Sequence, residues 1–159
     1  MRRSEVEEFS LGSGAEFALM MYDRTQPQAE ALCAAEYEGG HLATYVNTAE
    51  KDAVAVELQR LRLELGGADF RFWTGYTDAA TEGTWVAAAN YSYADPGRLD
   101  AFWADGEPNN SGGDEDCAQL TVDGSAVKGY DYPCSGVTGD VLWALCKVAV
   151  GVLPPTASP

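Results

Sequence analysis

Four cysteines, Cys33, Cys117, Cys134 and Cys146, constrain this chain more than any other feature. Their number is even and no two form a CxxC pair, so neither a zinc ribbon nor a thioredoxin-like motif is spelled. Two disulfides are the natural reading, and they imply an oxidising compartment, outside the cell or on its surface. Spacing alone leaves all three pairings open. A chain of 159 residues can bury one substantial core and is short for two, so a single domain is expected over residues 1–153. The tail from Pro154 to Pro159 reads as the start of a stiff Pro-rich linker, as in one module of a larger extracellular protein. Met1-Arg2-Arg3 is basic, but Ser4 to Glu8 lacks the apolar run of a signal peptide, so an export signal is expected to have been removed or to lie upstream. No stretch reaches transmembrane length, and direct membrane insertion is not expected.

Helical signals are confined to the first half. Thr25-Gln26-Pro27-Gln28 has capping-box spacing with Pro near the helix start, and Ala29, Leu32 and Cys33 then share a face before Gly39-Gly40 stops the run. A second helix begins near Asn47 or Thr48 and carries Val54, Leu58, Leu61 and Leu65 at steps of four, three and four, until Gly66-Gly67 ends it. Beyond Gly67 the character changes to short segments, Phe70 to Tyr76, Thr84 to Val86, Ala118 to Val122 and Val141 to Val148, divided by turn formers. Helices followed by strands indicate the α+β class.

Between Thr77 and Asp116 lie about forty residues of little periodicity. A compact domain seldom carries so long an irregular segment without a function for it. Disorder is disfavoured, because Trp85, Tyr91, Tyr93, Phe102 and Trp103 seek burial. Inside this stretch, Glu107 to Asp116 reads Glu-Pro-Asn-Asn-Ser-Gly-Gly-Asp-Glu-Asp and runs into Cys117. Carboxylates and amide carbonyls at this density are hard oxygen donors that suit calcium, whereas the EF-hand spacing is absent. Zinc is disfavoured, since His41 is the only histidine and the cysteines are committed elsewhere.

The whole composition agrees with a bound cation. Against 25 acidic residues stand 10 basic ones, a net charge of −15, which argues against nucleic acid and anionic membrane as partners. Such an excess repels itself in a compact fold, and a cation that neutralises part of it stabilises the native state.

Several motifs together carry a family resemblance. Gly40-His41-Leu42-Ala43 follows the first helix, Trp73-Thr74-Gly75-Tyr76 opens the strand region, and Cys117, Cys134 and Cys146 close it around Glu107-Pro108-Asn109. From about Phe17 to Val148 the chain resembles the C-type lectin domain family, in its short form with four cysteines. The resemblance implies a fold of two helices flanking small antiparallel sheets with a long irregular calcium-binding loop region. It implies the pairs Cys33 with Cys146 and Cys117 with Cys134, and a cis bond before Pro108. Glu107, Asn109, Glu115 and Asp131 match the ligands of the family's principal calcium site. Asp78, Glu82, Asn110, Glu115 and Asp116 match those of its auxiliary site. One departure stands out: where the family pattern has Trp-Asn-Asp, this chain has Gly129-Tyr130-Asp131, and a protonated phenol is a poor calcium ligand.

The resemblance further implies a calcium-dependent module for glycans or glycoproteins. Glu-Pro-Asn goes with vicinal equatorial hydroxyls of the mannose, glucose, N-acetylglucosamine and fucose type, and Gln-Pro-Asp with galactose. Sugar contacts are then expected from Glu107, Asn109, Glu115, Tyr130 and Asp131. The competing expectation is an extracellular protein-binding or structural domain in which calcium only braces the loop. Enzyme chemistry is not expected. His41, alone between Gly40 and Leu42, reads as a packed residue, Ser111 and Ser135 have no second histidine for a triad, and a crowded acidic loop offers chelation in place of a protonated glycosidase acid. The four tryptophans, Trp73, Trp85, Trp103 and Trp143, read as core. Asn90-Tyr91-Ser92 and Asn109-Asn110-Ser111 are formal glycosylation sequons, of which Asn109 is expected to stay unmodified wherever it serves as a ligand.

Overall fold

The computed structural model describes residues 5–87, 95–149 and 151. The Arg2-Arg3 start, the Asn90 sequon with Tyr91 and Tyr93, and the Pro-rich tail lie outside the described residues.

Both expected helices are present. Helix α1, Gln26–Glu36, begins with the capping box read from the sequence: Thr25 accepts from Gln28 N, and Gln28 accepts from Thr25 N. Its buried side carries Ala29 and Cys33. The chain leaves it by a close return in which a Cβ on Gly40 would lie 2.5 Å from Cys33 O, so only glycine fits there. Helix α2, Thr48–Glu64, is capped by Asn47, whose side chain accepts from Glu50 N, and it buries Val54, Leu58 and Leu61. Leu65, expected on that buried stripe, is instead the C-cap and 38% exposed.

The strands form one sheet. They are β1 (Val6–Ser10), β2 (Glu16–Met20), β3 (His41–Leu42), β4 (Phe70–Thr77), β5 (Val86–Ala87), β6 (Cys117–Val122), β7 (Val127–Tyr132) and β8 (Trp143–Val148). The path is β1-β2-β8-β4-β6-β7, with β3 on β8 and β5 on β4. The expectation of small antiparallel sheets is corrected on one point: β4 and β8 pair in parallel, Phe72 beside Trp143 and Trp73 beside Ala144, which joins everything into a single mixed sheet. The core also begins earlier than Phe17. Ser4 to Glu8 read as polar and acidic, yet Val6–Ser10 form an edge strand that pairs with β2 and buries only Phe9, so a periodic apolar signal was never required of them.

Alternation along the central strands partitions the core. Phe17, Leu19, Phe72 and Leu145 face α2, whereas Ala18, Met20, Trp73, Ala144 and Cys146 face α1. The two helices therefore cover opposite faces of the sheet. Cys33–Cys146 ties α1 to β8, and Cys117–Cys134 ties β6 to the segment after β7, the pairing that the resemblance implied. His41 is packed as expected, 5% exposed with Nδ1 2.9 Å from Leu42 O, and burial holds its pKa below the ordinary value. Trp73 and Trp85 are buried, and Trp103 and Trp143 pack against the α2-side core while partly exposed.

Candidate functional site

The irregular segment is anchored at both ends. At its base Thr77 Oγ1 and Asp78 N both donate to Asp116 O, at 2.7 and 3.1 Å. Near its middle, Phe102 lies across β7. Gly129 N donates to Phe102 O at 2.7 Å, Ala104 N donates to Gly129 O at 2.9 Å, and a Cβ on Gly129 would meet the Phe102 ring at 2.6 Å. Gly129, having no side chain, thus leaves room that Phe102 fills. Trp103, Tyr76 and Tyr45 meet Phe102 edge-on, with centroids 5.0, 5.7 and 6.5 Å away, so the loop is tied by aromatic contacts into the α2-side core. This clamp sets Tyr130 and Asp131 against residues 107–111.

Glu107, Asn109, Glu115, Tyr130 and Asp131 line one cavity of about 340 Å³. The Glu107–Pro108 bond is cis, as expected. Asp131, 3% exposed, accepts from Asn109 N at 3.0 Å and Asn110 N at 2.6 Å, so one carboxylate fixes two successive loop amides. Asn109 Nδ2 donates to Glu107 Oε1 at 2.9 Å, which places an amide donor and a carboxylate acceptor side by side at the rim. Ser111 N donates both to Asn109 Oδ1 at 3.0 Å and to Glu115 Oε1 at 2.8 Å, and Glu115 N donates to Asn110 Oδ1 at 3.1 Å. The turn that makes this possible runs through Asn110 at φ 47°, a left-handed conformation that asparagine tolerates better than most residues.

Asp78, Glu82 and Asp116 form a second cluster, each offering an oxygen within 4.8 Å of the other two. Of the other two residues matched to this group by sequence, Glu115 lines the first cavity and Asn110 accepts from Glu115 N. Asp78 is 2% exposed: its Oδ2 accepts from Gly83 N, while Oδ1 is buried without a hydrogen-bond partner among the described residues. A buried carboxylate oxygen left in that state is costly unless a cation meets it. The carboxylates also oppose one another's charge. Burial first, then Asp131 and Glu115, push the Glu107 carboxyl up to about 7. Burial, followed by the charges of Asp131 and Asp114, raises Glu115. The nearness of Asp78 leads the rise of Glu82, and burial followed by Asp78 leads that of Asp116. Hard oxygen donors, mutual repulsion and an orphaned buried oxygen fit a calcium ion.

Sequence reasoning missed the rest of the cavity lining: Arg71, Ser111, Gln119, Thr121 and Tyr132. The signal was present along β6, where Gln119 and Thr121 alternate with Leu120 and Val122 and so bring a polar row to the floor of the cavity.

Comparison with known proteins agrees with the fold. The Lectin C-type domain model matches residues 22–147. Perlucin of Haliotis laevigata is 31% identical over 108 residues, which take in 67% of this chain and 62% of perlucin. The chain spans less than two thirds of the length of the curated relatives it matches. Among solved structures, the C-type lectin CEL-I from Cucumaria echinata superposes with a TM-score of 0.69 at 15% identity, covering 94% of this chain and 99% of that one. The C-type lectin domain of murine dendritic cell inhibitory receptor 2, in complex with N-glycan, gives a TM-score of 0.62 at 19% identity, covering 93% and 98%. At these identities the likeness is one of fold.

Proposed function

Because this chain belongs to the C-type lectin domain family, we propose that its loop cavity is a calcium-dependent site for sugars with vicinal equatorial hydroxyls, of the mannose, glucose, N-acetylglucosamine and fucose type. The observation that carries the reading is the convergence of Glu107, Asn109, Glu115 and Asp131 on one cavity, with the Asn109 amide 2.9 Å from the Glu107 carboxylate. A hydroxyl of the sugar can donate to Glu107 and its neighbour can accept from Asn109, which reads a diol by its two opposite polarities. Asp131 positions the amides of Asn109 and Asn110 and holds the loop in shape for that contact. Calcium, when bound by Glu107, Asn109, Glu115 and Asp131, supplies open coordination positions for the two hydroxyl oxygens. Asp78, Glu82 and Asp116, together with the matched Asn110 and Glu115, would hold a second ion that would brace the loop. Tyr130, in place of an asparagine, offers a ring for stacking on a sugar face and a hydroxyl for hydrogen bonding.

Glycans or glycoproteins are the partners this site suits, as a binding module without catalysis. The two disulfides favour the extracellular space or cell surface. Titration calorimetry with methyl mannoside in calcium tests the reading: heat that disappears in chelator, and is absent with galactose, is expected, and no heat in calcium removes it.

One observation favours a second reading. Tyr130 stands where the family pattern supplies a calcium ligand, which suits a domain that uses calcium only as a brace and binds protein instead. That reading requires chelator to lower the melting temperature while no sugar raises it.

A further inference from the structure

Beside the first cavity lies another, of about 330 Å³, lined by Asp69, Phe70, Arg71, Thr121, Gly139, Asp140 and Val141. Arg71 and Thr121 line both cavities, and they are direct cross-strand partners on β4 and β6. The two depressions therefore adjoin along that row.

The second cavity contains the same chemical device as the rim of the first. Arg71 Nη1 and Asp140 Oδ2 are 3.1 Å apart, with side chains 41% and 31% exposed. A guanidinium only donates and a carboxylate only accepts, so together they meet a diol as Asn109 and Glu107 do. Asp140 is held from behind by the Tyr132 hydroxyl, which donates to the same Oδ2. Pairing with Nη1 leaves the remaining donors of the planar guanidinium to a ligand, and no other hydrogen bond engages Arg71 among the described residues. As a partly exposed ion pair, Arg71 with Asp140 contributes little to stability, so its loss in a variant should leave the fold intact. Asp140 already compensates the Arg71 charge, so the pair suits a neutral polyol over an anion.

We propose that Arg71 and Asp140 form a second sugar subsite, and that the ligand is a neutral oligosaccharide whose first residue occupies the Glu107–Asn109 rim and whose next residue reaches Arg71. The inference rests on the carbohydrate reading of the first cavity and adds to it the length and charge of the ligand. Arg71 is then a residue that selects chain length, at the border of the two cavities.

The test is calorimetry in calcium with methyl α-mannoside, a neutral mannotriose and a uronic-acid disaccharide, on the wild-type domain and on Arg71→Ala and Asp140→Asn. Mannotriose is expected to bind the wild type roughly ten-fold more tightly than the monosaccharide, because hydrogen bonds to charged groups are worth that much. Both variants should lose that advantage; Asp140→Asn, whose residue lines the second cavity and not the first, should also keep monosaccharide affinity within about two-fold, the scatter expected of a site not in contact. Equal affinities of mannotriose and monosaccharide in the wild type overturn the subsite. So does an equal loss for both ligands in Asp140→Asn. Tighter binding of the acidic disaccharide than of mannotriose, lost in Arg71→Ala, also overturns it by assigning Arg71 to an anion. Absence of any monosaccharide heat sinks the first cavity's reading itself, and this one with it.

Discussion

The Phe102 ring lies so close over Gly129 that a single added methyl would sit 2.6 Å from it, and the two residues are also joined by a 2.7 Å backbone hydrogen bond. This contact is what aligns the loop with Tyr130 and Asp131.

Gly129→Ala is therefore expected to destabilise the domain by about 1–3 kcal/mol, the usual cost of overpacking. Denaturant unfolding in calcium measures it, and an unchanged midpoint removes the clamp as the alignment device. Sugar affinity should fall with it, since Asp131 fixes the amides of Asn109 and Asn110.

Calcium is expected to stabilise the fold by about 2.7 kcal/mol at a hundred times its dissociation constant, a rise of roughly 5 to 10 °C in melting temperature. Asp78→Asn provides a paired readout. Without its charge, Glu82 and Asp116 repel less, so the variant in chelator should melt no lower than the wild type. In calcium it should melt lower. A variant that matches the wild type in both solutions shows that no ion sits at Asp78.

The pH dependence has opposite signs with and without the ion. Glu107 rises from its ordinary 4.5 to about 7 in the ion-free fold, led by burial. A carboxyl raised by folding contributes stability that is fully present below its unfolded value and is lost as pH climbs through the folded one. In chelator the melting temperature should thus decline between about 4.5 and 7, and Glu107→Gln should flatten the decline. In calcium the ligands must be ionised, so affinity should weaken as pH falls from 7.5 toward about 5. An affinity constant over that range rules out Glu107 as a ligand.

Cys33–Cys146 joins residues 113 apart in sequence. Replacing both by alanine is expected to cost about 2–5 kcal/mol, the range for native disulfides of small extracellular domains. Thermal unfolding of the double variant checks the figure, and a loss under about 1 kcal/mol would show that the Ala29 and Trp73 packing beneath it suffices.

Much of this architecture was legible because local chemistry agreed with the global fold. The Thr25 to Gln28 box, the Asn47 cap and the Val54, Leu58 and Leu61 stripe each announced an element that formed. Strand β7 was hidden because Gly129 and Lys128 interrupt its pattern, and its place is decided by partners on β6 and by Phe102, far away in sequence. Strand β1 was hidden because an edge strand buries one side chain, Phe9, and here carries two acids, Glu7 and Glu8, beside it. In the site, oxygen-rich Glu107 to Asp116 was conspicuous, whereas the Arg71–Asp140 pair joins residues with no local sign of each other.

The order of strands has a practical corollary for anyone attaching this domain to something. Strand β1 occupies one border of the sheet and β7 the other, five inter-strand steps away, or roughly 24 Å at about 4.8 Å each. The described chain both enters and leaves on the β1, β2 and β8 side, where Gly151 N reaches Glu16. A bead or sensor chip coupled beside Glu5 or Gly151 would hold the molecule by the β1 border, with β7 and the cavity beside it turned outward into the flow.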